Sequence, residues 1–133
     1  MTDDLHSHQP ESADHRQTDL VALLRTTYAD LLTAERIITG FSDHAPGGFV
    51  SWGLAEGEAS EAVRALRYAP SLQPPADPPP STDPPTTIKT LHELAASAAQ
   101  ALITAAELAI ASDDRLACLQ AALHAGRLAT ALR

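Results

Sequence analysis

Between Thr86 and Arg133 the chain is dominated by alanine, leucine and isoleucine, contains no proline, and breaks once, at Ser112-Asp113-Asp114. This stretch constrains the fold more than any other. Its first half carries a single polar stripe, Glu93, Ser97, Gln100, Thr104 and Glu107, spaced at helical intervals. Ile88, Leu91, Leu94, Ala98, Leu102, Ile103, Ala105, Ala109 and Ile110 fill the rest of that surface. A surface helix needs an apolar face of only about 100° or slightly more, so this one requires cover on two sides.

The spacing predicts helices over about 87–111 and 113–132, joined by so short a break that an antiparallel hairpin is the simplest geometry. Thr86, Thr87 or Thr90 suits the first N-cap, and Thr90 with Glu93 has capping-box spacing. Ser112 suits the second N-cap, with Asp113 and Asp114 at the positive end of the helix dipole. Along the last helix, Cys118, Ala121, Ala122, Ala125 and Ala129 form a seam of small residues. Leu116, Leu119 and Leu123 are expected on one flank of this seam, and Leu128 and Leu132 on the other. Small residues between leucines allow close backbone approach, which favours a tight helix pair over a roomy cofactor cavity.

Upstream, eight of the ten prolines fall between Pro70 and Pro85. Proline fixes φ and removes a donor, so 70–85 reads as a polyproline-II-like linker. Fully extended it reaches about 50 Å at roughly 3.1 Å per residue, enough to cross a bundle. Ahead of it, 17–69 forms an N-terminal helical half. Its first helix is expected over about 18–39, capped by Thr18 and closed by Gly40 as a left-handed residue. Leu20, Leu24, Tyr28, Leu31 and Ile38 make its apolar stripe, with Glu35 near the middle. A second helix over about 54–68 points Ala55, Ala59, Ala62, Val63 and Leu66 inward and ends before Pro70. The intervening 40–53 is a Pro-Gly-Gly-punctuated loop holding three of the five aromatics, Phe41, Phe49 and Trp52. Residues 1–16 are polar and aperiodic, as in a disordered tail. The fold class is therefore all-α: a three- to four-helix bundle with a C-terminal antiparallel hairpin and a Pro-rich linker between its second and third helices.

Net charge is −8, and the only close basic pair is Arg64 with Arg67. Phosphate backbones demand a cationic surface, so neither nucleic acid nor an anionic membrane is an expected partner. One cysteine cannot form an internal disulfide, and the first residues lack a signal peptide's cationic and apolar regions. The longest uncharged helical run, Leu94–Ala106, is too short and too polar to span a bilayer. A soluble cytoplasmic protein is expected, and the arginine-for-lysine and alanine usage is compatible with a bacterial genome.

No phosphate loop, nucleophile elbow or zincin motif occurs; His92-Glu93 opens like a zincin, but Ala96 stands where the second histidine belongs. One constellation is worth retaining: Glu35, His92, Glu107 and His124 all lie on expected helices, and bundles host metal sites made of facing carboxylates and histidines. Glu35, His92 and His124 are thus the candidate metal or ligand residues, although no cofactor is expected. The leading expectation is a non-enzymatic helical interaction protein, self-associating as a homodimer, with Phe41, Phe49, Trp52, Leu102, Ile103, Ile110, Leu128 and Leu132 as partner-binding candidates. The competing one is a small helical enzyme or ligand-binding bundle using Glu35 with His92, His124 or both.

Overall fold

Apolar stripes at helical spacing produce four helices in the computed structural model, which describes residues 2–43, 52–72 and 87–133, with side chains over 13–40, 52–72 and 87–133. They are α1 (Thr2–Asp43), α2 (Trp52–Arg67), α3 (Ile88–Leu108) and α4 (Ser112–Ala131). Among the described residues there is no strand. The architecture is an all-α bundle, as the sequence pattern implies.

The inner face of α1 is the anticipated one: Leu20, Leu24, Tyr28, Leu31 and Ile38 are buried, joined by Thr27 and Ala34. Its length is not the anticipated one. The backbone is helical from Thr2, upstream of the expected start at Thr18, through a stretch expected to be disordered. Thr18 does not cap; its hydroxyl donates to the Asp14 carbonyl one turn back, as an interior helical threonine does. Nearby, Arg16 Nη2 donates to the Glu107 carbonyl and Gln17 Nε2 to Ser71 Oγ, tying this part of α1 to α3 and to the turn after α2. At the other end Gly40 is helical rather than left-handed, and no described glycine has a positive φ. The expected loop at 40–53 is thus shortened from both sides, since Trp52 opens α2 and is buried.

Each helix packs on two neighbours. The pairs in close backbone contact are α1 with α2, α1 with α3, α2 with α4 and α3 with α4; among the described residues neither diagonal pair comes as close. One cluster holds the second half of α1's stripe (Ala34, Ile38), the start of α2 (Trp52, Ala55, Ala59), the start of α3 (Leu91, Ala95) and the end of α4 (Leu128, Leu132). The other holds the opposite ends, from Leu20 through Leu66, Leu102 and Ala121. Hence α1 and α4 run one way, α2 and α3 the other, and every contacting pair is antiparallel. Leu72 and Thr87 lie at opposite ends of the bundle. The prolines expected to make the linker between α2 and α3 extended, from Pro74 onward, fall outside the described residues.

α3 obtains its two-sided cover from α1 and α4, and its polar stripe Glu93, Ser97, Gln100, Thr104 and Glu107 is exposed as the spacing requires. Thr87 is its N-cap and forms a capping box with Thr90 in place of the expected Glu93. Its last turn has no basic residue of its own, but Arg16 reaches the Glu107 carbonyl and Arg115 the Ala109 carbonyl, satisfying orphan acceptors. On α4, the N-cap is Ala111 with no side-chain bond, so Ser112 does not play that part.

Candidate functional site

Glu35, His92 and His124 are each held at a different helix–helix contact. Glu35 lies at the rim of the α1 stripe facing α2, not in the middle of it: Leu31, Ala34 and Ile38 take the buried positions while Glu35 Oε2 accepts from Ser60 Oγ at 2.9 Å. Two turns along the same contact, Arg67 Nε donates to the Tyr28 hydroxyl at 3.0 Å, and its guanidinium carbon stands 6.0 Å from the ring centre. The Tyr28 hydroxyl, and more distantly the Glu35 charge, hold Arg67 firmly protonated.

His92 sits between α3 and α4, 2.7 Å from the Ala129 carbonyl oxygen through Nδ1. A carbonyl only accepts, so the proton is on Nδ1. The ring thereby adds a second donor to a carbonyl in α4's last turn that also accepts the Leu132 N–H at 3.3 Å. His124 lies between α4 and α2, its Nδ1 donating to Glu58 Oε2 at 2.7 Å, with the two side chains 23% and 14% exposed. Glu58, which is outside the inward stripe of Ala55, Ala59 and Ala62, thus turns toward α4. Glu107 is exposed in α3's polar stripe. Among the described residues no group of three or more His, Cys, Asp or Glu side chains is placed to hold a metal ion.

A further polar cluster escaped the sequence pattern. Asp114 is only 2% exposed; Oδ1 accepts the Ser71 backbone N–H at 2.8 Å and Oδ2 the Ser71 hydroxyl at 2.6 Å. Since Ser71 Oγ accepts from Gln17 as well, the chain Gln17–Ser71–Asp114 pins α1, the turn leaving α2 and the first turn of α4 together. Asp113 and Asp114 look equivalent in sequence; only the helix phase, with Asp114 in line with the buried Cys118 and Ala121, separates them. Cys118 lies against the bundle interior, and burial, helped by the Asp114 charge, pushes its thiol up to about 11.

The partner-binding candidates divide sharply. Leu102, Leu128 and Leu132 are at most 1% exposed, and Trp52 is also buried, so the bundle's own core consumes them. Ile103 and Ile110 are exposed. Phe49 and the side chain of Phe41 lie outside the described residues.

Among the described residues a further row of exposed apolar side chains lies on α4. Leu116, Leu119 and Leu123 are 56%, 48% and 52% exposed and occupy successive turns of its outward face. They were expected to flank the alanine seam. The seam itself (Cys118, Ala121, Ala122, Ala125, Ala129) is buried between α2 and α3, and Ala117 is buried with it. Two neighbours cannot also reach the far side of a helix, and the leucines lie on that far side. Leu123 shares an open groove of about 800 Å³ with Leu54, Gly126, Arg127 and Thr130. Leu116 lines a smaller depression with Tyr68, Asp113 and Gln120. Leu54 and Tyr68, both strongly exposed, thereby extend the leucine row at its two ends.

No family model matches the chain, and no curated protein or solved structure proved similar enough to match it. Among the described residues no helix is long and apolar enough to cross a membrane.

Proposed function

We propose that this chain is a non-enzymatic helical interaction module of the cytoplasm that self-associates through the outward face of α4. One observation carries the reading: a row of three half-exposed leucines on the side of α4 that its own bundle leaves open. A helix at the surface of a monomer ordinarily presents polar residues outward, and contiguous apolar patches mark contact sites. Covering the exposed half of a leucine contributes about 1 kcal/mol. Six leucines across a symmetric pair give roughly 6 kcal/mol, close to the lower estimates of association cost. Leu54 and Tyr68 supply the surplus, which makes the expected complex a weak and reversible one. A net charge of −8 argues against phosphate backbones as the partner.

Size-exclusion chromatography with light scattering tests this directly. A mass that rises with concentration toward twice the 14.0 kDa chain is expected. A strict monomer at high micromolar concentration overturns the proposal.

A further inference from the structure

We infer that two copies pair α4 against α4 in antiparallel orientation, about a two-fold axis close to Leu119 and Gln120. The inference rests on the self-association proposed above and adds the partner surface and its register. Its carrier is charge complementarity along one helix face.

Asp113 lies one turn before Leu116, and Arg127 lies one turn after Leu123. Both are exposed, and among the described residues neither has a hydrogen-bond or ion-pair partner. With Gln120 they fall on the same flank of the leucine row, the flank toward α2, where His124 meets Glu58. In an antiparallel pair related by a two-fold axis, like flanks face each other. Leu116 of one copy then packs on Leu123 of the second, and Asp113 stands opposite Arg127 of the second, twice by symmetry. Gln120 meets its own copy at the axis, where an amide both donates and accepts. A parallel pair would instead set Asp113 level with Asp113 and Arg127 level with Arg127 on opposite flanks of the leucine row, and so would form neither Asp113–Arg127 pair.

The ends of the patch obey the same symmetry. Tyr68 beside Leu116 and Leu54 beside Leu123 lie at opposite ends of α2, so each reaches the other's counterpart in the second copy. An isologous contact requires this kind of self-complementary surface.

The test uses the full chain, and all substituted positions are exposed, so helical content by circular dichroism confirms that each variant folds. Asp113→Arg is expected to weaken association about tenfold, and the exchange Asp113→Arg with Arg127→Asp to restore it. Leu119→Glu is expected to abolish it. Register is read by oxidative cross-linking: Gln120→Cys joins to itself efficiently, whereas Leu116→Cys and Leu123→Cys do so poorly alone and well when mixed. A concentration-dependent dimer that ignores Asp113→Arg and Leu119→Glu, or in which all three cysteines self-link equally, overturns the antiparallel α4 pair while leaving self-association standing. A strict monomer overturns both. So does a monomer destabilised by Leu119→Glu, which would mean that another segment of the same chain packs on this face.

Discussion

Replacing Asp114 by alanine separates two explanations of the acidic pair that opens α4. If these residues merely complement the helix dipole, Asp113 and Asp114 should be worth the same, about 0.3–1 kcal/mol each. The structure assigns Asp114 more. It loses two hydrogen bonds from Ser71, at 2.8 and 2.6 Å, each to an ionised acceptor and each worth about 1.5–3 kcal/mol. Ser71 is half-buried, so water recovers part of that loss. A net cost of about 2–4 kcal/mol remains, or a fall in Tm of about 10 °C for a chain of this size. Asp114→Asn keeps the geometry, because its amide oxygen accepts the Ser71 N–H while its NH2 donates to Ser71 Oγ; about 1 kcal/mol is expected there. Asp113→Ala should cost at most about 1 kcal/mol. Urea unfolding followed at 222 nm, with Ser71→Ala and the double variant, completes the cycle, and a coupling of roughly 1–2 kcal/mol is expected. Equal losses in the Asp113 and Asp114 variants, or strict additivity between Ser71→Ala and Asp114→Ala, would refute the staple.

Three other outcomes are expected from the same fold. Asp30 is half-buried on α1 with no hydrogen-bond or ion-pair partner among the described residues, and desolvation raises its carboxyl above the usual 3.8. The folded chain therefore holds that proton to higher pH than the unfolded one, and stability falls as pH rises through this window. Asp30→Asn should raise the urea midpoint at pH 7 and lose that advantage near pH 3. For Cys118 the displacement from 9.0 to about 11 leaves about 100-fold less thiolate at pH 8 than in an unfolded chain. Alkylation should be slower by at least that factor in the native protein, and stability should decline between about pH 9 and 11 as the unfolded thiol ionises first. Alkylation at the rate of a denatured control would contradict the burial. Gly57 lies inside α2 with open space where a Cβ would go, so Gly57→Ala should stabilise by about 0.5–1 kcal/mol in thermal melts.

The sequence pattern revealed the inner faces with fidelity because a helix's buried side is written at fixed intervals. Leu20 through Ile38, Ala55 through Leu66, and α3's polar stripe all lie where their spacing puts them. Features that depend on a neighbouring helix were less legible. The rim position of Glu35 follows from where Ser60 stands, and the turn of Glu58 toward α4 from where His124 stands. Asp114 needed Ser71, 43 residues away in sequence, to become a buried acceptor. Helix ends were the weakest point: Thr18, Gly40 and Ser112 have the chemistry of caps, yet the backbone continues through two of them and begins beside the third without using its side chain.

On α4 the small-residue seam, Leu128 and Leu132 face inward as their spacing implies, and only Leu116, Leu119 and Leu123 lie outside the core, a difference that bears on function. The apolar positions of α4 cover too much of the circumference for one face, so some had to be left outside. Bulk alone would have sent Leu116, Leu119 and Leu123 inward and the alanines to the edge. The bundle does the reverse, because α2 and α3 approach along the seam where side chains are smallest, and α2 meets it with Ala55, Ala59 and Ala62. Small residues on both sides let the backbones close up; a leucine row there would have forced them apart and left voids beside the alanines. Close packing of the monomer is thus achieved with the small face of α4, and the bulky face remains open. The cover needed for the hairpin comes from α1 on α3 and α2 on α4, and what stays exposed on α4 is the leucine row flanked by Asp113 and Arg127.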